Sequence, residues 1–113
     1  MIRYREGALR DIAEAAGWYR RRRPAYEGRF FERLRETVRR IEDAPLSCAI
    51  AMEAEGVRKA RVKRSPYSIA YRVLTEDEIE IIAVVHGARK PGWWTRRLRR
   101  PEGAQEKQGL RKR

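Results

Sequence analysis

Ile2, Arg3 and Tyr4 alternate apolar and polar, which predicts a short first strand. Leu9, Ile12, Ala13, Ala16 and Tyr19 then recur at spacings of three and four, the period of a helix that buries one face. Four arginines at 20–23 close that helix, where cations meet the negative end of its dipole. Pro24 stops the helix but suits the first turn of the next. From there Tyr26, Phe30, Phe31, Leu34, Val38 and Ile41 trace one apolar stripe that ends at Asp43, Ala44 and Pro45. The two segments form a helical hairpin with its apolar face turned toward something flat.

After Pro45 the period changes. Residues 46–55 carry no clear repeat and are expected as a loop with a strand near 48–52. Residues 57–64 alternate, setting Lys59, Arg61 and Lys63 on one face. In 67–74 the residues Tyr67, Ile69, Tyr71 and Val73 share a face opposed by Ser68 and Arg72, with Pro66 marking the turn before them. Thr75, Glu76 and Asp77 make a further turn. Residues 79–86 are almost continuously apolar, as a central strand covered on both faces requires. Residues 87–91 form a loop, and 93–98 predict a short terminal helix. The fold class is α+β: an N-terminal helical hairpin on one face of a twisted antiparallel sheet of about four strands. The opposite, cation-bearing face is expected to stay free for a macromolecule.

Composition adds a partner class. Twenty-eight Lys and Arg against sixteen Asp and Glu give the 113-residue chain a net charge of +12. Such a field attracts polyanions, whether nucleic acid or an acidic protein. No apolar run approaches the ~20 residues of a membrane span, and the N-terminus lacks the core of a secretion signal, so a cytoplasmic location without a membrane partner is expected. Cys48 is the sole cysteine, which excludes an intramolecular disulfide or a multi-cysteine metal cluster. No metal site and no cofactor are expected. Residues 1–98 read as one domain. Residues 99–113, with six cations against two carboxylates and no apolar period, read as a disordered basic tail.

The candidate chemistry is sparse. Lys59, Arg61 and Lys63 recur at ~7 Å along a strand, a spacing able to track a nucleic-acid backbone or to blunt a sheet edge against aggregation. Arg58 and Arg64 flank that row. His86 is the only histidine; beside Arg61, Arg89 or Tyr71 it could serve an RNase, yet with no second histidine and no carboxylate partner a strand-capping role is favoured. Trp93 and Trp94 lie beside Arg96 and Arg97. One of the pair is expected under the sheet and the other in a contact surface. The candidate binding set is therefore Arg58, Lys59, Arg61, Lys63, Arg89, Trp93, Trp94, Arg96 and Arg97. Were the chain a nuclease, the catalytic candidates would be Lys59, Arg61, His86 and Arg89.

The element order, the segment from Ser65 through Val73, and the ending Arg89-Lys90-Pro91-Gly92-Trp93-Trp94-Thr95-Arg96-Arg97 together resemble the RelE/ParE superfamily of bacterial type II toxin–antitoxin systems. Ala8, Asp11, Ile12 and Tyr19 of the first helix agree with that resemblance, which spans about Tyr4 to Arg97. It implies a helical hairpin against a twisted antiparallel sheet and a cognate antitoxin that neutralises the toxin. RelE-like members cleave mRNA on the ribosome, whereas ParE-like members poison DNA gyrase by binding. Ser68 stands where RelE-like nucleases tend to carry an arginine, and Trp93 and Trp94 where they often carry tyrosine. Lys59 and Arg61 match the cationic positions of the nucleases. The ending favours the ParE side, so a non-enzymatic gyrase inhibitor of a plasmid-stabilisation system is the expectation. A ribosome-dependent mRNA endonuclease is the alternative, and a non-toxic antitoxin-binding protein a weaker one.

Overall fold

The computed structural model describes residues 1–52 and 55–99. Strand β1 (Ile2–Tyr4) leads into helix α1 (Glu6–Arg22), a 3₁₀ turn (Pro24–Tyr26) and helix α2 (Glu27–Asp43). Strands β2 (Ile50–Met52), β3 (Val57–Arg61), β4 (Tyr67–Thr75) and β5 (Glu78–His86) follow, and a 3₁₀ turn (Thr95–Arg99) ends the described chain. Most of the expected basic tail, residues 100–113, lies outside the described residues.

The sheet has five strands in the order β1-β5-β4-β3-β2. β1 runs parallel to β5, and every other pair is antiparallel. The sheet is therefore mixed and one strand wider than the hydrophobic pattern implied. The mixing comes from β1, which is separated from β5 by the hairpin and three further strands and still pairs with it; the added strand is β2, within the segment expected mainly as a loop. A parallel pair needs a long connection, and here it consists of the hairpin followed by β2, β3 and β4.

The hairpin packs on one face. Ala8, Ala15, Phe30, Leu34 and Ile41 from the helices meet Val62, Ile69, Tyr71, Ile79, Ile81 and Val84 from the sheet side. Each large apolar side chain buried there contributes roughly 1.5–3 kcal/mol. The buried face of α1 is rotated from the expected stripe: Gly7, Ala8, Asp11, Ala15 and Ala16 point inward, while Leu9 and Ala13 face out. Small residues let α1 lie close to β5, which the larger Leu9 would prevent.

The second face is not free. A bulge in β5 between the partners of Ala70 and Tyr71 turns both Ile82 and Ala83 toward it. There they join Val57, Ala70 and Val85, and Trp94 closes over them at 4% exposure. The expectation of an open cation-bearing face is corrected for this half of the sheet. The apolar run of β5 needed a second cover, and the C-terminal segment supplies it. That segment is a 3₁₀ turn rather than the expected short helix.

Tyr71 is fully buried, and its hydroxyl donates to the Pro45 carbonyl at 2.6 Å. Burial above all, then the neighbouring Cys48, raises its pKa well above the ordinary 10.0, with Arg58 opposing. Burial also raises Tyr4 and Tyr67. The unfolded phenols ionise near pH ~10, so the folded state keeps its protons to higher pH. This stabilisation is complete below pH ~10 and is lost as pH rises toward the folded values. The urea midpoint should fall between pH ~9.5 and ~11.5, and Tyr71→Phe should flatten that fall. An identical pH dependence in both proteins would exclude Tyr71 as its source.

Candidate functional site

The second face has two halves. Beside β5 it is covered; along β3 it carries free cations. Lys59 pairs in register with Ala70 and Arg61 with Ser68, so two small residues of β4 lie beside two long cationic side chains. Lys59 and Arg61 are exposed and have no ion-pair partner among the described residues. Between β2, β3 and the C-terminal segment lies a cleft of about 370 Å³ whose walls include Met52, Lys59, Val85, His86, Arg89 and Trp94. Four of the expected site residues, Lys59, His86, Arg89 and Trp94, thus meet in one place.

The remaining expected residues separate. β3 ends at Arg61, because the chain turns through Arg64 in a left-handed conformation (φ 54°) before Pro66, which has no N–H to donate. Lys63 consequently leaves the row and lines a cleft with Arg33, Glu36, Arg39, Arg40 and Asp43 of α2. Arg58 donates to the carbonyls of Leu46 and Cys48 at 3.0 and 2.6 Å, tying the loop before β2 to the sheet. Arg96 is exposed on the terminal turn. Trp93 takes the guanidinium of Arg89 over its ring at 3.7 Å and that of Arg97 at 4.8 Å. Its buried indole nitrogen has no hydrogen-bond partner among the described residues.

His86 ends β5 with its ring edge-on to Tyr67 at 5.0 Å. Its Nδ1 accepts from the Ala88 N–H at 2.9 Å, which leaves Nε2 as the protonated nitrogen of the neutral ring. This is a strand-ending hydrogen bond of the kind the sequence favoured. No carboxylate and no second imidazole lines the cleft with it among the described residues. The arrangement suits gripping an anionic surface better than transferring protons. Nor does any group of three His, Cys, Asp or Glu among the described residues come together to hold a metal ion.

Arg97 has a different task. Its guanidinium holds Asp11 through two bonds, Nη1 to Oδ2 at 2.8 Å and Nη2 to Oδ1 at 3.0 Å. Nη1 also donates to the Ile82 carbonyl at 3.0 Å, while Asp11 Oδ2 accepts from the Val84 N–H at 3.0 Å. β1 covers the β5 edge only at 79–81, so Ile82 and Val84 lack a strand neighbour there. The Asp11–Arg97 pair stands in for the missing strand, satisfying a buried carbonyl and a buried amide. Arg5, also buried, donates to the Arg97 carbonyl at 2.8 Å and to Glu80 at 3.1 Å, and Arg72 takes the other Glu80 oxygen at 2.8 Å. Gly7 leaves room for the clamp, since a Cβ there would lie 2.7 Å from Arg97 Cζ. Asp11 entered the sequence reading only through the family resemblance, because the expected apolar stripe of α1 did not include it. Its partner was not legible.

A sequence model of the ParE toxin of the type II toxin–antitoxin system parDE matches residues 2–91. A solved chain from the chromosomal ParDE TA system of P. aeruginosa superposes with a TM-score of 0.65 at 21% identity, covering 75% of this chain and 92% of that one. A search among curated proteins returned no match. No described helix is long and apolar enough to cross a membrane. The matched residues take in both helices and all five strands, and the chain belongs to the ParE toxin family of type II toxin–antitoxin systems.

Proposed function

We propose that this toxin acts by binding, with DNA gyrase as its target, and that a cognate antitoxin neutralises it in the cytoplasm. Family membership supports the reading. The observation that carries it is the free cationic pair Lys59 and Arg61 at a cleft that, among the described residues, sets no carboxylate and no second imidazole beside His86. A surface of this kind recognises charge and shape without a chemical step. Purified toxin should inhibit gyrase supercoiling in a saturable way. Lys59→Ala combined with Arg61→Ala should weaken inhibition by about tenfold, with an unchanged circular-dichroism spectrum. Unaffected supercoiling at saturating toxin would remove the gyrase assignment.

A second reading rests on one specific feature: Lys59, His86 and Arg89 line the same cleft. An mRNA endonuclease would place cations and an imidazole in that way. Cleavage of translated mRNA, abolished by His86→Ala with Arg61→Ala, would establish it. Expression without growth arrest would instead support a protein that binds antitoxin and has lost toxicity.

A further inference from the structure

On the other side of His86 from the Lys59 row, α1, α2 and the β3–β4 turn enclose a second cleft of about 410 Å³. It touches the first cleft only at His86. Its floor is a continuous run of rings. Trp18 meets Tyr19 at 5.2 Å, Tyr19 stacks on Phe30 at 5.3 Å, Phe30 meets Tyr67 at 5.5 Å, and Tyr67 meets His86 at 5.0 Å. Arg23, Arg33 and Arg64 add three positive charges. Among the described residues, neither a carboxylate nor a branched aliphatic side chain lines it.

Two further features set this cleft apart from ordinary surface. Trp18 and Tyr26 are 37% and 39% exposed, and guanidinium groups already lie over them, Arg22 at 5.5 Å from the Trp18 ring and Arg23 and Arg29 at 5.6 and 5.0 Å from the Tyr26 ring. Arg64 holds its left-handed backbone (φ 54°), a conformation that normally selects glycine or asparagine and is strained for a long side chain. The strain is retained at a position that presents a cation to the cleft. Planar rings and planar guanidinium groups together match a planar aromatic ligand that bears an anion. A volume of this size falls within the range of small-molecule sites. An acidic peptide with aliphatic side chains would find no matching aliphatic wall.

We infer that the cleft between the helical hairpin and the β3–β4 turn binds a nucleotide, its base against the exposed rings of Trp18 and Tyr26 and its phosphate on Arg23 and Arg64. The inference goes beyond the toxin's target and stands independently of it. The nucleotide can be free or part of a single strand, and the first cleft beyond His86, with Arg89 and Lys59, offers a path for a strand to continue.

The test is equilibrium binding of adenosine monophosphate, inorganic phosphate and a short single-stranded oligonucleotide to the full chain. Adenosine monophosphate should bind at least about tenfold more tightly than inorganic phosphate, because stacking adds to the charge contacts. Arg64→Gly relieves the backbone strain, so that variant folds as well as the parent while losing about tenfold in affinity. Tyr26→Ala should lose a similar factor. Arg35→Ala, which removes the same charge from an exposed site on α2 outside the cleft, should change affinity by less than about twofold. Tighter oligonucleotide binding that Arg89→Ala abolishes identifies a strand as the ligand; equal affinities identify a free nucleotide. Equal losses in the Arg64 and Arg35 variants would reduce the effect to net charge and overturn the site. So would phosphate binding as tightly as the nucleotide.

Discussion

Asp11→Ala is expected to cost the folded state about 3–5 kcal/mol. Its side chain is 6% exposed and that of Arg97 is 15% exposed, so truncating the carboxylate leaves a nearly buried guanidinium without its counter-charge. The Val84 amide loses its acceptor in the same step. For a domain whose total stability is typically about 5–15 kcal/mol, the loss brings unfolding close to working conditions. Asp11→Asn keeps an acceptor for Val84 but not the charge, and should fall between the two proteins. Urea unfolding of Asp11→Ala, Arg97→Ala and the double variant provides the cycle. The double variant should be less damaged than the two single losses added together, since it no longer strands a charge. A loss below about 1 kcal/mol in Asp11→Ala would show that the edge of β5 does not depend on this clamp.

Trp94→Ala should cost about 3–5 kcal/mol, and its effect should be local. Trp94 closes the cluster of Val57, Ala70, Ile82, Ala83 and Val85, whereas the hairpin-side core is assembled from other residues. Losing the indole exposes that cluster and frees the terminal turn, held otherwise by the Arg97 clamp and by turn hydrogen bonds such as Thr95 N–H to the Gly92 carbonyl. Amide exchange should accelerate across 93–97 and along β5 while the two helices stay protected. Uniform acceleration through α2 would mean that the two faces form one cooperative unit. If the terminal segment is part of the contact surface, the same variant should also inhibit gyrase less well at temperatures where the fold persists.

These two predictions mark where the chain was hardest to read. Asp11 and Arg97 are 86 positions apart, and no local period links them. In the sequence Arg97 looked like one more surface cation beside two tryptophans. In the structure it shields an unpaired stretch of strand edge. Trp94 was legible as half of an aromatic pair of which one member should be buried, but composition could not choose between Trp93 and Trp94. The choice follows from the β5 bulge, which turns two consecutive residues to one face and leaves a gap that an indole fills. Lys63 failed to join Lys59 and Arg61 for a similar reason: alternation assumes that the strand continues, and the left-handed turn at Arg64 ends it. His86 was read correctly as the end of its strand, because an apolar run followed by glycine is a local signal.

By itself the sequence determined the two helices, the strands, their order and the positive field, since these depend on the period of apolar residues and on charge, both written locally. Tertiary structure alone decided that β1 joins the sheet in parallel, that the second face is half covered, and that five aromatic rings line up beneath three arginines. Each of these depends on which groups from distant segments are left unsatisfied once the strands have paired. That quantity exists only after the chain has folded.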